Sequence, residues 1–365
     1  MATETSTLGV AVIGTGFGQK IHIPGLQAHH RTRPVAVYHR DLDKAKAIAQ
    51  AHDIPHACPS VEAALALPEV EAVAVSTPPF LHYPMAKMAL EAGKHLLLEK
   101  PTTLSAAEAR ELNELAQARN LIGVMDFEFR FVPAWQRLAE LLAAGYVGNK
   151  RLIKIDWLAG SRANPDRPWN WYALKDKGGG ALGAIGSHAF DYIAWLFGPV
   201  QQLCARLSTT ITQRPDPVSG ELKPVDADDT CTLMLDLQDG TPCQMALSAV
   251  AYEGRGHWLE IYGDRGTLVL GSSNSSDYVH GFKLYGAPAG EPLTELEIPK
   301  RLAFPQTYED GRLAPFIRVV NHWVDCIDRG QVTAPALPEG YYSQLLMDLT
   351  HQSSQQGRWV EVPPH

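Results

Sequence analysis

Short apolar runs alternate with helix-like segments through the first third of the sequence, and this alternation constrains the fold more than any other feature. Four of the runs are LGVAVI (8–13), VAVY (35–38), VAVS (73–76) and HLLL (95–98). Continuous apolar strands separated by helices predict a parallel sheet covered by helices on both faces. Because crossover connections are right-handed, we expect this sheet to be doubly wound.

The pattern changes after about residue 131. One amphipathic helix (134–144) precedes a series of alternating strands, including a hairpin around Asp239 and Gly240. Two helices, near 315–329 and 340–355, close the chain. The stretch 212–228 is polar and rich in proline, which predicts a mobile loop.

These patterns predict an α/β protein of two domains. We expect residues 1–128 to form a domain with a doubly wound parallel sheet. We expect residues 129–365 to form an α+β domain on a large, mainly antiparallel sheet. A chain of 365 residues, 45% of them hydrophobic, is long enough for two cores.

Charge and cysteine content exclude several classes of protein. The net charge is −8 and no basic block is present, which argues against nucleic acid or an acidic membrane as a partner. The five cysteines are far apart and form no Cys-x-x-Cys pair, so we expect reduced thiols and no bound metal. The first residues lack a secretory signal, and no apolar run is long enough to span a membrane. We therefore expect a cytoplasmic protein.

A glycine-rich turn follows the first predicted strand. It contains Gly14, Thr15, Gly16, Phe17 and Gly18. Glycines between a strand and a helix allow a tight turn and let backbone amides approach a pyrophosphate. The spacing is unusual, because Gln19 stands at the usual third glycine and Gly18 comes one residue early. A plain strand–helix turn is the alternative, but the position before further strand–helix units favours dinucleotide binding.

The end of the second strand predicts which dinucleotide binds. NAD-binding sites place an acid there for the ribose 2′-hydroxyl, whereas this chain has His39 and Arg40. These side chains pair with a 2′-phosphate, so we expect NADP(H) to be preferred, with NAD(H) possible. Asp41 follows, and we interpret it as the N-cap of the next helix.

A lysine stands where the buried strand 95–98 ends. Glu99 and Lys100 follow the strand directly, and Pro101 closes the run. Ligands of open α/β sheets bind at the carboxyl ends of the strands. Lys100 in this position would contact the cofactor next to its nicotinamide ring and stabilise negative charge on a substrate oxygen. Glu99 would hold the ribose or the lysine. A salt bridge facing solvent is the alternative, and these residues alone leave both open.

Three motifs resemble the Gfo/Idh/MocA family of oxidoreductases: GTGFGQKIHIPGL, VSTPPFLHYPMAKMALEAGKHLLLEKP and GGGALGAIGSHAFDYIAWLFG. The resemblance covers nearly the whole chain. It implies NAD(P)-dependent chemistry on sugars, polyols or other cyclic alcohols and ketones. Residues 1–128 would then be a Rossmann domain that binds NAD(P), and residues 129–365 would bind substrate and form a homodimer or homotetramer through their sheet. It also implies that Ser76, Thr77, Pro78 and His82, and the matching His22, lie near the cofactor. For both histidines, capping or packing is the alternative.

The glycine-rich stretch before His188 resembles a phosphate loop in composition, but no Lys-Ser/Thr pair follows it. The family resemblance instead implies that His188 acts with Lys100 in catalysis. Family members usually carry an aspartate four residues before this histidine, and this chain has Ala184. Asp191 would share a helical face with His188 and is a partial substitute or has a separate role. A helix-start residue without chemistry is the alternative for His188.

The segment SRANPDRPWNWY matches the position of family substrate loops. It supplies Arg162, Trp169, Trp171 and Tyr172 as substrate-binding candidates, together with His188. Aromatic faces stack on sugar rings, and arginine binds carboxylates or hydroxyls. A packed loop anchored by its aromatic residues is equally consistent with this pattern.

We therefore expect an NADP(H)-dependent oxidoreductase that interconverts a secondary alcohol and a ketone, or an aldehyde, on a sugar, polyol or other cyclic small molecule. Lys100 would polarise the oxygen and His188 would move the proton. Ala184 keeps one alternative open, a nicotinamide-binding sensor with little turnover. The other alternative is an oxidoreductase that retains its cofactor through a closed cycle.

Overall fold

The computed structural model describes residues 7–274 and 278–364. Residues 1–6, on which part of the prediction of no secretory signal rests, lie outside this range. Among the described helices, none has both the length and the apolar character that crossing a membrane requires.

The strands are numbered along the chain. They are β1 (Leu8–Ile13), β2 (Thr32–Tyr38), β3 (His56–Cys58), β4 (Ala72–Val75), β5 (His95–Leu98), β6 (Gly123–Met125), β7 (Lys150–Leu158), β8 (Val200–Ser208), β9 (Gln213–Pro215), β10 (Leu222–Pro224), β11 (Thr230–Leu237), β12 (Pro242–Ser248), β13 (Gly256–Gly263), β14 (Gly266–Ser272), β15 (Lys283–Pro288), β16 (Thr294–Glu295) and β17 (Val360–Glu361).

The α-helices are numbered in the same way. They are α1 (Ile23–Ala28), α2 (Leu42–Ala51), α3 (Val61–Leu65), α4 (His82–Glu91), α5 (Ala106–Ala118), α6 (Pro133–Ala143), α7 (Ser187–Phe197), α8 (Tyr278–Gly281), α9 (Leu313–Arg329) and α10 (Leu337–Gln356). Two π-helical turns, Gly18–His22 and Leu182–Gly186, lead directly into α1 and α7.

The first unit contains the predicted doubly wound sheet. Its six strands are all parallel and follow the order β3-β2-β1-β4-β5-β6. Every residue of β1 and β4 is buried, as expected for strands covered by helices on both faces. The strand order reverses between β1 and β4, so the ends of these two strands flank the topological switch point where such sheets bind ligands.

A segment from late in the chain belongs to this first unit. The unit runs to Glu128 and also includes Arg312–Gln344, which the sequence pattern assigns to the second domain. Phe316 of α9 packs where a side chain at Gly25 of α1 would stand, and Ala336 pairs with Val124 next to β6. Sequence periodicity predicts that α9 is amphipathic, but it does not say which sheet the apolar face covers.

The second unit comprises Phe129–Gly311 and the residues from Leu345 onward. It is built on a nine-stranded sheet of order β16-β15-β14-β13-β7-β12-β11-β8-β17. Neighbouring strands are antiparallel except β7 and β12, which run parallel. The β11–β12 hairpin confirms the hairpin predicted around Asp239 and Gly240, and β13 and β14 form a second antiparallel pair.

The prediction of a mobile loop at 212–228 is wrong in its secondary structure. β9 and β10 form a small antiparallel sheet there. The Asp216 carboxylate accepts hydrogen bonds from the backbone of Val218 and Ser219 and pairs with Lys223. An Asp side chain that accepts hydrogen bonds from the backbone of a turn fits the connection between β9 and β10.

Candidate active site

The glycine turn after β1 packs against the end of β4. Gly14 has φ of +103°, and a Cβ there would lie 2.7 Å from the backbone of Ser76 and Thr77. A Cβ at Gly18 would collide with the Ser76 hydroxyl. At Gly16, by contrast, a Cβ would meet no described atom within 4 Å. Internal packing therefore explains Gly14 and Gly18, whereas the open space over Gly16 fits a phosphate group lying on the backbone.

The neighbouring turn after β4 contains the predicted residues Ser76, Thr77 and Pro78. The Ser76 hydroxyl donates to the Gly14 carbonyl at 3.2 Å and so joins the two turns. The Thr77 hydroxyl oxygen is buried and has no hydrogen-bond partner among the described residues. A buried hydroxyl without a partner is unfavourable on its own, so it fits a position where a dinucleotide supplies the partner. The predicted Thr15 and Phe17 are half-buried in the glycine turn.

His82 connects the ends of β4 and β5. Its Nε2 lies 2.7 Å from the Thr77 carbonyl oxygen, and its Nδ1 lies 2.7 Å from the Pro101 carbonyl oxygen. Burial lowers the pKa of His82, against the opposing effect of the two carbonyls and Glu99. The structure therefore gives His82 a bracing contact on both turns.

His39 and Arg40 follow β2 at the edge expected for the adenosine ribose. The Asp41 carboxylate accepts hydrogen bonds from Asp43 and Lys44, which confirms its interpretation as the N-cap of α2. The backbone N–H of Asp41 donates to His39 Nδ1 at 2.9 Å. Arg40 is exposed, and its side chain forms no hydrogen bond or ion pair with the described residues. Its charge is therefore available to a ligand.

Lys100 stands just beyond the carboxyl end of β5. The Glu99 backbone N–H donates to the Val75 carbonyl at 3.0 Å, which extends the pairing of β5 with β4 by one residue. The Lys100 backbone N–H donates to Glu99 Oε2 at 3.1 Å, and the Lys100–Pro101 peptide bond is cis. Lys100 is half-buried, whereas Glu99 is buried. The structure thus places Lys100 one strand away from the switch point.

Behind Lys100, three titratable side chains form a buried cluster that the sequence interpretation missed. His22 Nε2 lies 3.0 Å from Glu99 Oε1 and 3.8 Å from Asp126 Oδ2. The His22 ring also stacks on Phe316, with the centroids 4.5 Å apart. Asp126 directly follows β6, the strand next to β5, and an acid at that end was the available signal. The three ligand atoms lie within 4.8 Å of one another, a spacing that a cation would accept, but mutual hydrogen bonds already account for it.

The pKa values of Glu99 and Asp126 are displaced in opposite directions. Burial would raise the pKa of Glu99, but His22, the hydrogen bond with Asp126 and the Lys100 charge lower it to about 2. Burial, and then the charges of Glu99 and Glu128, raise the pKa of Asp126 well above its usual range. Two adjacent buried carboxyls do not both ionise, so we expect Asp126 to hold a proton at neutral pH and to donate it to Glu99. Glu99 is therefore an anion beside Lys100.

Replacing Asp126 with asparagine is expected to stabilise the protein at neutral pH. The unfolded chain loses the Asp126 proton near pH 3.8 and the folded chain keeps it. Wild-type stability therefore falls by about 1.4 kcal/mol per pH unit between these two pKa values. The asparagine amide donates a hydrogen bond to Glu99 but does not titrate. The free energy of unfolding of the variant should therefore exceed that of the wild type by more as the pH rises.

Chemical unfolding of Asp126→Asn and the wild type from about pH 4 to about pH 8 measures this dependence. Asp43→Asn, at an exposed site on α2, is the matched control and should show no trend with pH. A stability difference for Asp126→Asn that is constant across the range would contradict proton sharing.

In the second unit, His188 is the second residue of α7, directly after a π-helical turn. It is 4% exposed, and its ring meets the edge of Phe129 at a centroid distance of 4.9 Å. Trp157 lies 6.1 Å away on the same aromatic cluster. π-Helical turns often occur at functional sites, because they redirect the side chains that follow.

Ala184 lies within this π-helical turn, where the family pattern has an acid. Asp191 does not simply take over that role. Arg130 binds the Asp191 carboxylate through two nitrogens at 2.7–3.1 Å, and both side chains are largely buried. This bidentate pair holds α7 against the segment after Phe129, which favours the separate role for Asp191.

The predicted substrate loop is held by backbone contacts. The Trp169 indole N–H donates to the Pro224 carbonyl at 3.0 Å, which favours an anchoring role for this residue. The Asn170 side chain caps the short helical turn that begins at Trp171. The Arg162 guanidinium lies over the Tyr172 ring at 3.4 Å from the ring centre. Arg162 and Tyr172 are thus brought together, whereas Trp169 is turned toward β10.

Family models match both parts of the chain. The model described as "Oxidoreductase family, NAD-binding Rossmann fold" matches residues 8–127. The model described as "Oxidoreductase family, C-terminal alpha/beta domain" matches residues 139–362. The chain belongs to the Gfo/Idh/MocA family. It is therefore an oxidoreductase with an NAD-binding Rossmann domain, and the family resemblance of its motifs is confirmed.

Two curated Gfo/Idh/MocA relatives illustrate the range of similarity. An uncharacterised oxidoreductase of Synechocystis sp. is 56% identical over 362 residues, which cover 99% of this chain and 98% of that protein. Levoglucosan dehydrogenase of Pseudarthrobacter phenanthrenivorans is 27% identical over 326 residues, which cover 81% of each chain.

Solved Gfo/Idh/MocA structures share the fold over the whole chain. Levoglucosan dehydrogenase in complex with NADH and L-sorbose has a TM-score of 0.87 at 22% identity, with coverage of 99% of this chain and 100% of that chain. An oxidoreductase domain protein from Kribbella flavida has a TM-score of 0.89 at 26% identity, with coverage of 98% and 100%. These likenesses confirm the predicted α/β architecture.

Proposed function

We propose that this chain is an NADP(H)-dependent oxidoreductase that interconverts a secondary alcohol and a ketone, or an aldehyde, on a sugar, polyol or other cyclic substrate. The observation that carries the proposal is Lys100, which stands at the carboxyl end of β5 with its backbone bound to the ionised Glu99. The relative named levoglucosan dehydrogenase supports a sugar-like substrate. A second relative, 31% identical over 237 residues, is named trans-1,2-dihydrobenzene-1,2-diol dehydrogenase and supports a cyclic alcohol.

The side chains divide the chemistry between them. A bound nicotinamide supplies hydride transfer. Lys100 donates a hydrogen bond to the substrate oxygen and stabilises the negative charge that develops there. His188 accepts the hydroxyl proton in oxidation and returns it in reduction. Glu99 holds the backbone of Lys100 in place and gives the ammonium a nearby counter-charge.

NADP(H) is the preferred cofactor in this proposal. His39 and Arg40 stand where an NAD enzyme usually has an acid, and Asp41 is engaged as a helix cap. The Arg40 guanidinium has no partner among the described residues, so it is free to pair with a 2′-phosphate. The family model that matches residues 8–127 is described as NAD-binding, so we expect NAD(H) to bind as well.

Arg40→Ala is expected to weaken NADP(H) far more than NAD(H). A charge-assisted phosphate contact contributes about 1.5–3 kcal/mol, which corresponds to about 10- to 150-fold in Kd. Titration of both cofactors by protein fluorescence measures the two losses, with Lys46→Ala on the exposed face of α2 as the control. Equal losses for both cofactors, or a wild-type preference for NAD(H), would rule out this assignment.

Two rivals predict different behaviour. A nicotinamide-binding sensor is favoured by Ala184 and predicts cofactor binding without turnover on any polyol or ketose. A closed-cycle enzyme predicts that purified protein retains cofactor, visible in the nicotinamide absorbance. Turnover on a panel of polyols and ketoses by protein free of retained cofactor supports the proposal and excludes both rivals.

We also propose that the protein acts in the cytoplasm and assembles into a homodimer or homotetramer through the nine-stranded sheet. Apolar side chains on the open face of this sheet support the second part, with Leu152 38% exposed and Met234 52% exposed. Isolated apolar side chains are common on surfaces, so the pair matters because both stand on central strands of one sheet. The molar mass in solution, compared with that of Met234→Glu, tests this assembly.

A further inference from the structure

Three arginines converge beside the substrate loop of the second unit without a carboxylate partner. They are Arg162, Arg167 and Arg214. In the part of the chain that the structure describes, no carboxylate oxygen lies within 4 Å of any of their guanidinium nitrogens. Other arginines of this unit are paired, such as Arg130 with Asp191 and Arg255 with Glu260. The charges of the three arginines also act on one another, since Arg167 and Arg214 affect Arg162 and Arg167 affects Arg214.

Arg214 is a structural brace within this group. It is 7% exposed, and its two terminal nitrogens donate to the Arg162 carbonyl at 2.6 Å and the Asn164 carbonyl at 2.7 Å. These bonds fix the backbone that carries Arg162. They also leave the charge of Arg214 buried next to a second arginine, since carbonyl oxygens are dipoles and carry no net charge.

Arg162 is held on an aromatic platform. Its guanidinium carbon lies 3.4 Å from the centre of the Tyr172 ring, which is van der Waals contact between two planar groups. The Tyr172 backbone is fixed in turn by the Asn170 cap, at 3.0 Å. The donors of a guanidinium lie in its own plane and form a fork that fits a carboxylate. Apart from its contact with Tyr172, the group donates no hydrogen bond to a described residue.

The charges that face this platform are mostly positive. Burial lowers the pKa of Arg162, and the charges of Arg167 and Arg214 act in the same direction, opposed by Tyr172. Asp229 is the carboxylate whose charge reaches Arg214, and its Oδ2 already accepts three hydrogen bonds from Thr210 and Ile211. Burial raises the pKa of Asp228, which lies near Tyr172. The site therefore favours an additional negative charge.

We propose that Arg162, stacked on Tyr172 and backed by Arg214, binds a carboxylate of the substrate, so that the natural substrate is a sugar acid or a polyhydroxy acid. The inference rests on the proposed function, because it names the substrate class of the same site. The guanidinium fork of Arg162 matches the two oxygens of one carboxylate. A phosphate ester is the alternative anion, and glucose 6-phosphate in the test below distinguishes it.

The test uses matched neutral and acidic compounds: glucose with glucuronate, galactose with galacturonate, and glucitol with gluconate. Binding is measured by calorimetry in the presence of NADP⁺ or NADPH, and turnover is measured separately. The wild type should bind at least one acid about 10- to 100-fold more tightly than its neutral partner. Added salt should weaken the acid more than the neutral compound, because it screens the charge.

Arg162→Gln should remove most of that preference, and Arg162→Lys should restore part of it by keeping the charge without the fork. Arg255→Gln is the matched control, since Arg255 also stacks on an aromatic ring, that of Trp258 at 4.8 Å, but is paired with carboxylates. The control should keep the full preference for the acid.

Several outcomes would overturn the inference: equal affinity for acid and neutral partner, tighter binding of glucose 6-phosphate than of glucuronate, no binding of any pair, or equal losses for acid and neutral compound in Arg162→Gln. Turnover of neutral compounds without a preference for acids would reject the inference and leave the proposed function standing. Binding of acids that depends on Arg162, with no turnover of any compound, would support the inference and reject the proposed function.

Discussion

Lys100→Ala is expected to lower kcat by about 10³-fold while leaving cofactor affinity nearly unchanged, because removing one donor to a developing oxyanion typically costs 10²- to 10³-fold. The loss falls on kcat since the contact strengthens as negative charge develops on the substrate oxygen. Cofactor affinity is retained because the glycine turn and the residues after β2 and β4 are separate from the lysine side chain. Single-turnover kinetics and a fluorescence titration of the cofactor measure the two quantities.

Lys87→Ala is the matched control for this experiment. Lys87 lies on α4 of the same unit, where it pairs with Glu111 at 2.6 Å on the surface. It should keep the wild-type kcat. A Lys100→Ala protein that is folded and retains most of its kcat would assign Lys100 a structural role and would reject the proposed mechanism.

His188→Ala is expected to lower kcat by about 10²- to 10⁴-fold, the range for loss of a general acid–base group. His188 is buried against Phe129, so a substitution also opens a cavity. His188→Gln, which keeps much of the volume and a polar end, separates the two effects, because it should fold normally and remain slow. Full activity in His188→Ala would mean that another group, such as Lys100 or Tyr172, carries the proton.

Restoring the family acid next to His188 provides an independent check. A carboxylate in Ala184→Asp stabilises the imidazolium form of His188, since opposite charges favour each other. The neutral imidazole is the form that accepts a proton in oxidation, so the ascending limb of the pH–rate profile should move to higher pH. A profile that does not move in a folded, cofactor-binding variant would separate His188 from the proton transfer.

The parallel sheet was predictable because its strands are apolar on both faces. The turn before α2 was predictable because Asp41 is a strong N-cap. The hairpin between β11 and β12 was predictable from Asp239 and Gly240, because an Asp-Gly pair favours the tight turn that joins two antiparallel strands. In each case a short stretch of sequence carries the whole structural signal.

Other features depend on residues that are far apart in the sequence. Nothing local to α9 indicates that Phe316 stacks on His22, so the placement of Arg312–Gln344 in the first unit could not be derived. Glu99 and Asp126 follow β5 and β6. Their contact could not be predicted without knowing that these two strands are neighbours in the sheet. The sequence does not show whether Arg162 has a carboxylate partner, because such a partner can come from any part of the chain.

The most direct test of hydride transfer uses a cofactor labelled with deuterium. NADPH and NADH deuterated at C4 of the nicotinamide are each incubated with the wild type and a panel of ketoses, aldoses and keto acids, and the products are analysed by mass spectrometry and NMR. We expect deuterium to appear on a carbon that now carries a hydroxyl group, faster from NADPH than from NADH, and we expect Lys100→Ala to nearly abolish the transfer. Cofactor binding without transfer of deuterium to any compound, from either cofactor, would contradict the proposed function.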